Sequence, residues 1–324
     1  MTILFVGSSP SDLGGNMTEY TDTFGRDPNF TPVGSVYGPV DNDDSGFGFR
    51  ANFDTPVSNT IWIHFLYNSN NPGIFNNKAD GYFMRFFSET TEIARIDLKD
   101  DNFYAEVGSA FAEFPKPVQS TNMTFDISVT STGSAVTIAV YQNGALQAQV
   151  LGMLAAGKCD NITFDFYDMV SSISAVLLYR ISEVIVTDNV PTLGWRLATL
   201  LPDAQGTYNA WDGAIANLTT FGDGQSISTD TNNLKESWTL SPYLGPVTDS
   251  GVYAVVNKII ANISNAGPSQ ITPFIRHAGV DVEGTPFVPV PGGYSEILYT
   301  NPQTGLPWDT ADFAALEIGV KSTA

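Results

Sequence analysis

The chain has 324 residues, 34 acidic and 14 basic side chains, a formal net charge of −20, two histidines and one cysteine. That balance argues against a grip on a nucleic-acid backbone or an anionic membrane, both of which need clustered Lys and Arg. Cys159 is alone, so an intrachain disulfide is excluded. With 43% apolar residues the chain can build real cores, and its length suits about two domains.

Near the start, Ile3-Leu4-Phe5-Val6 is apolar but short and lacks a basic flank, so a secretory signal is not expected. No run approaches the roughly 20 apolar residues of a membrane-spanning helix. Asp41, Asp43 and Asp44 with Gly46 form an oxygen-rich turn, a candidate for structural calcium. Asp97, Asp100 and Asp101 with Asn102 form a second. Both lack the bidentate Glu of the helix-loop-helix calcium motif, and a solvated turn is the simpler reading of each.

Ile61 to Tyr67 and Tyr82 to Phe87 are apolar on both faces, which suits strands covered on both sides. His64 lies within the first and reads as a satisfied sheet residue. From Met123 onward the period is two. Phe125, Ile127 and Val129 share one face, and Val136, Ile138 and Val140 repeat the pattern. Asn143-Gly144 is a strong hairpin signal, so residues 123–151 predict a three-strand antiparallel meander.

Gly152 to Cys159 fits the phosphate-loop pattern except that Cys stands where a hydroxyl should hold magnesium. A strand-like Ile162 to Phe166 follows instead of a helix, so a turn between strands is expected. Ala175 to Val186 predicts a long strand or a strand pair. Thr187 to Thr192, with Pro191, reads as a domain boundary preceding a new strand at Trp195. Tyr208 to Gly213 is the most loop-like aromatic segment. Tyr208 and Trp211 lie in it and, together with Trp308, are the candidate glycan or partner contacts, although core packing is the simpler reading of the tryptophans. His277 ends a strand, and Asp309 caps a short helix running to Leu316.

Many short strands between Gly, Pro, Asn and Asp turns predict an all-β chain of two β-sandwich, jelly-roll-like domains, residues 1–188 and 189–324. Catalytic patterns are missing. No Gly-x-Ser-x-Gly elbow, no His-Glu-x-x-His pair and no i, i+2 carboxylate run on one strand occurs. Asp165 and Asp168 fall on opposite faces of a regular strand. No catalytic residue and no cofactor, apart from the candidate calcium, is expected.

Trp195 to Gly206 with its Leu200-Leu201-Pro202 segment, then Asn209-Ala210-Trp211, resembles a stretch of tailed-phage virion structural proteins. The likeness continues through Tyr294 to Leu298, Asn301-Pro302-Gln303-Thr304-Gly305, Pro307-Trp308-Asp309 and Leu316 to Lys321. It spans residues 190–324 closely and 15–188 loosely. There, Tyr20 to Phe24 and the Asn143-Gly144 hairpin look like parts of a concanavalin/laminin-G-type jelly roll. The resemblance implies a non-enzymatic subunit on the outside of a phage particle, as a tail-associated, fibre or head-decoration protein. It would be assembled in the bacterial host cytoplasm, packed against other virion proteins as a homo-oligomer such as a trimer, and able to touch host glycans. It carries over no functional residue. A carbohydrate-binding lectin module is the alternative, and a glycan-degrading enzyme on the same fold is a third.

Overall fold

A computed structural model describes residues 2–7, 18–20, 27, 30, 36–38, 48–69, 80–99, 102–118, 121–165, 179–218, 226–245, 251–263, 267–290 and 293–324. The protein is all-β, with two β-sandwich domains. It divides into two compact units, Met1–Leu197 and Ala198–Ala324.

The strands of the first unit are, in chain order, β1 (Thr2–Gly7), β2 (Thr18–Tyr20), β3 (Val36–Gly38), β4 (Gly48–Asn52), β5 (Thr60–Ser69), β6 (Asp80–Ser88) and β7 (Thr91–Lys99). They continue as β8 (Asn102–Val107), β9 (Ala110–Pro115), β10 (Met123–Ser131), β11 (Val136–Gln142), β12 (Ala145–Gly152), β13 (Asn161–Asp165) and β14 (Tyr179–Asp188). One sheet runs β12-β11-β10-β5-β14-β3-β2, with β1 also on β14. The other runs β4-β13-β6-β7-β8-β9. Alternation makes the sandwich. Phe125, Ile127 and Val129 of β10 face inward, where Phe125 stacks on Phe65 at 5.1 Å between ring centroids. Phe83 and Phe103 reach the same cluster from the second sheet. Burying each such ring contributes about 2–3 kcal/mol.

The expected meander is β10-β11-β12. Asn143 and Gly144 have φ of 48° and 78°, the two left-handed residues of a type I′ turn. The phosphate-loop-like stretch joins the end of β12 to the start of β13 without a helix. Lys158 donates to the carbonyls of Pro56 and Val57 rather than standing ready for a phosphate.

The expected boundary at residue 188 falls before the end of the first unit, because the segment beyond β14 is tied back to it. Thr192 donates from its hydroxyl to Asp126 at 2.7 Å, and Arg196 forks onto Glu183 at 2.7 and 2.8 Å. Glu183 sits at a β-bulge with φ of 58°, which aims its side chain at Arg196. Trp195 belongs to this tether and to no strand, contrary to expectation. Pro202 opens the next strand.

The second unit holds β15 (Pro202–Asn209), β16 (Lys235–Leu240), β17 (Val255–Ile259), β18 (Gln270–His277), β19 (Val280–Glu283), β20 (Tyr294–Leu298) and β21 (Leu316–Thr323). Five form a sheet in the order β15-β16-β21-β18-β19, and β17 pairs with β20. Trp238, Ile271 and Val320 make one buried cluster, and Ile275, Trp308 and Leu316 another. The helix expected after Asp309 is a 3-10 helix over Thr310–Ala315. Asp309 caps it, and Asp312 completes a capping box.

Candidate functional site

The six-stranded sheet turns an unusual face away from the core. In β7, Ile96 and Leu98 point inward, so Arg95, Asp97 and Lys99 point out. In β8, Phe103, Ala105 and Val107 point inward, so Asn102, Tyr104 and Glu106 point out. Inward Ile162 and Phe164 leave Asn161 and Thr163 outward on β13. Bulges in the β6–β7 pairing place Tyr82, Arg85 and Phe87 on the same outward face.

Register converts these strand patterns into one line. Arg50 pairs with Thr163, Thr163 with Arg85, Arg85 with Arg95, Arg95 with Glu106, and Glu106 with Phe111. The row crosses all six strands. At about 4.8 Å per strand it is about 24 Å long. Beside it runs a shorter row, Tyr82, Asp97, Tyr104 and Glu113. The rings are interleaved with cations. The Arg85 guanidinium carbon is 5.0 Å from the Tyr82 centroid and that of Arg95 is 5.6 Å from it. The Lys99 ammonium is 5.8 Å from the Tyr104 ring.

The middle of the row is a closed ionic knot. Arg95 donates from Nε to Asp97 at 2.9 Å and from Nη2 to Glu106 at 2.6 Å, and Lys99 donates to Glu106 at 2.6 Å. Burial pushes the Asp97 carboxyl up to about 6, against the opposing pull of Arg95. Its Oδ1 is buried with no hydrogen-bond partner. Burial also works against the charge on Glu106, but hydrogen bonds from Lys99 and Arg95 hold it below the usual carboxylate range.

Toward β4 the row is different. Arg50 and Arg85 place their guanidinium carbons 5.8 and 5.5 Å from the Phe87 centroid. Between them in register lies Thr163, only 8% exposed, whose hydroxyl has no partner. Among the described residues Arg50 has no carboxylate partner, and Arg85 stands 3.9 Å from Glu92. At the β9 end Phe111 is 65% exposed and approaches Tyr104 at 6.0 Å.

Of the calcium candidates, Asp41, Asp43, Asp44, Asp100 and Asp101 lie outside the described residues. Asp97 is not in a turn: it is a strand residue within the ionic knot. Among the described residues no cluster of His, Cys, Asp and Glu fits a metal. The three aromatic candidates do not form one surface. Trp308 is 2% exposed and donates to the Leu298 carbonyl, so burial removes it from contact with a ligand. Trp211 packs on the Trp238 cluster, and its backbone N–H donates to Glu236. Tyr208 donates to Asp281, which Lys235 and Arg276 also bind.

Each histidine is held in place. His64 is fully buried, with Nδ1 2.9 Å from Asp126. His277 ends β18, with Nδ1 2.7 Å from Gln303. The outward face of β6 to β8 escaped notice, Asp97 apart. Its signal was the alternation of Arg95, Asp97 and Lys99 with Ile96 and Leu98, repeated by Tyr104 and Glu106.

No family model and no curated protein matches the chain. Solved structures similar to it include a Botulinum neurotoxin serotype D binding domain, at 9% identity and TM-score 0.40, covering 98% of this chain and 91% of that one. Peanut lectin with a 9mer peptide matches at 9% identity and TM-score 0.37, covering 56% of this chain and 95% of that one. A sialidase matches at 14% identity and TM-score 0.35, covering 57% of this chain but only 18% of the sialidase. At such scores none of these likenesses carries a functional argument.

Proposed function

We propose that the protein is a non-enzymatic carbohydrate-binding β-sandwich protein whose ligand lies across strands β4 to β9 of the first unit. The observation that carries this reading is the in-register row from Arg50 to Phe111, flanked by Tyr82 and Tyr104. Aromatic faces stack on the apolar faces of sugar rings, and forked guanidiniums and carboxylates hydrogen-bond to hydroxyls. A line of such groups about 24 Å long suits an oligosaccharide better than a single sugar. Asp97 and Glu106 are the pair that would serve a glycosidase, and both are engaged by Arg95 and Lys99, which favours binding over cleavage.

An oligosaccharide array followed by calorimetry tests the assignment. Tyr82→Ala and Tyr104→Ala are each expected to weaken the best array ligand about tenfold, or about 1.4 kcal/mol, with unchanged far-UV circular dichroism. Binding unaffected by both variants would place the ligand elsewhere.

A second reading, a subunit on the surface of a tailed-phage particle, is supported by the resemblance over residues 190–324 and by the edge strand β12. That strand exposes Leu146 at 53% and Leu151 at 63%, apolar surface suited to packing against another chain. The two readings are compatible. Purified particles lacking the protein would overturn the second.

A further inference from the structure

We propose that the second unit binds a primary ammonium on a short alkyl stem, in a cleft between the β17–β20 pair and the β18–β19 hairpin. The cleft belongs to the other unit from the glycan face, and the inference does not rest on that reading. Its volume is about 60 Å³. A water needs about 10–15 Å³ on the same measure, so a group of a few heavy atoms fits. Asn257 of β17 and Glu296 of β20 stand opposite each other in register, so their side chains share one face of that pair, and both line the cleft.

These two polar groups are not answered within the protein. Asn257 is 7% exposed, and among the described residues its side-chain amide has no hydrogen-bond partner. Glu296 has neither an ion pair nor a side-chain hydrogen bond among them, and burial holds its carboxyl above the usual range with no cation opposing it. Lys258, next along β17, pairs with Ser295, so strand alternation turns it to the other face. Glu283 also lines the cleft, but Lys235 and Lys321 bind it. Gly284 makes room for the Glu296 carboxylate, since a Cβ there would stand 2.9 Å from Oε2.

An ammonium offers three N–H donors, enough for both carboxylate oxygens and the amide oxygen of Asn257. Val282, Leu298 and Pro302 supply apolar wall for the stem. A divalent ion is a poorer match, because calcium takes about six to eight oxygen ligands and much of this wall is apolar.

The test titrates the full chain at neutral pH with n-butylamine, its uncharged counterpart 1-butanol, a blocked lysine peptide and calcium chloride, following the backbone amide signals of β17 and β20 by NMR. Butylamine is expected to bind with a dissociation constant on the order of millimolar and at least tenfold more tightly than butanol. Glu296→Gln keeps the shape, removes the charge, and is expected to weaken butylamine at least tenfold with the strand signals otherwise in place. The peptide separates two sources of the same head. Binding tighter than that of butylamine assigns the cleft to a lysine of a partner chain, and weaker binding assigns it to a free amine; both uphold the ammonium site. Butanol binding as tightly as butylamine, butylamine binding that Glu296→Gln leaves intact, tighter binding of calcium, or no response to any of the probes overturns it.

Discussion

Asp97 shows how one side chain sets a pH response. Its carboxyl is raised from an ordinary 3.8 to about 6 by burial. The folded state therefore holds the proton more tightly than the unfolded chain does. As pH falls through about 6 toward 3.8 the folded state gains stability, and as pH rises through about 6 that contribution is lost. Asp97→Asn fixes the neutral form. Its melting temperature relative to the unaltered protein is expected to improve as pH rises from about 4 to about 6 and to level off above that, as followed by thermal unfolding at several pH values. A difference that does not change over this range would show that Arg95 and Lys99 cancel the cost of burying the charge. Glu106 does not confuse the result, because its carboxyl is held below the usual range and titrates in more acid solution.

At the scale of elements, close approach between strands constrains residues that otherwise look like punctuation. Gly152 ends β12, and a Cβ there would lie 2.4 Å from Val107 Cγ1 and 2.5 Å from the Val107 carbonyl oxygen. The obstacle is partly backbone, so it cannot swing aside. Gly152→Ala is expected to cost about 1–3 kcal/mol, read from chemical denaturation. A cost below about 0.5 kcal/mol would show that the two strands part easily. In the sequence this glycine looked like the opening of a phosphate loop. Its use is to let β12 pass over the end of β8.

For the whole molecule, the two compact units have separate cores. Cys159 is buried in the first, and burial pushes its thiol well above the ordinary value, so it is unreactive while that unit is folded. Trp238 and Trp308 are buried in the second. Heating is expected to give two transitions. Thiol labelling should follow one, and a fluorescence change dominated by exposure of Trp238 and Trp308 should follow the other. One coincident midpoint for both signals would mean that the units unfold as a single cooperative body.

The sequence by itself determined the all-β class, the β10-β11-β12 meander and the Asn143-Gly144 turn, because a period of two and a pair of left-handed residues are local properties of the chain. It also carried the outward alternation of Arg95, Asp97 and Lys99. It did not carry the partner of each strand. A search for two carboxylates on one strand could not find Asp97 and Glu106, which share Arg95 only because β7 lies beside β8. Nor could it line up Arg50, Thr163 and Arg85, which come from three segments far apart in the chain. Trp308 made the same point in reverse: its residue type alone left it a candidate contact, but the fold closes over it. Only the tertiary structure decided these matters, because register between strands is set by long-range pairing and core packing, which no local pattern encodes.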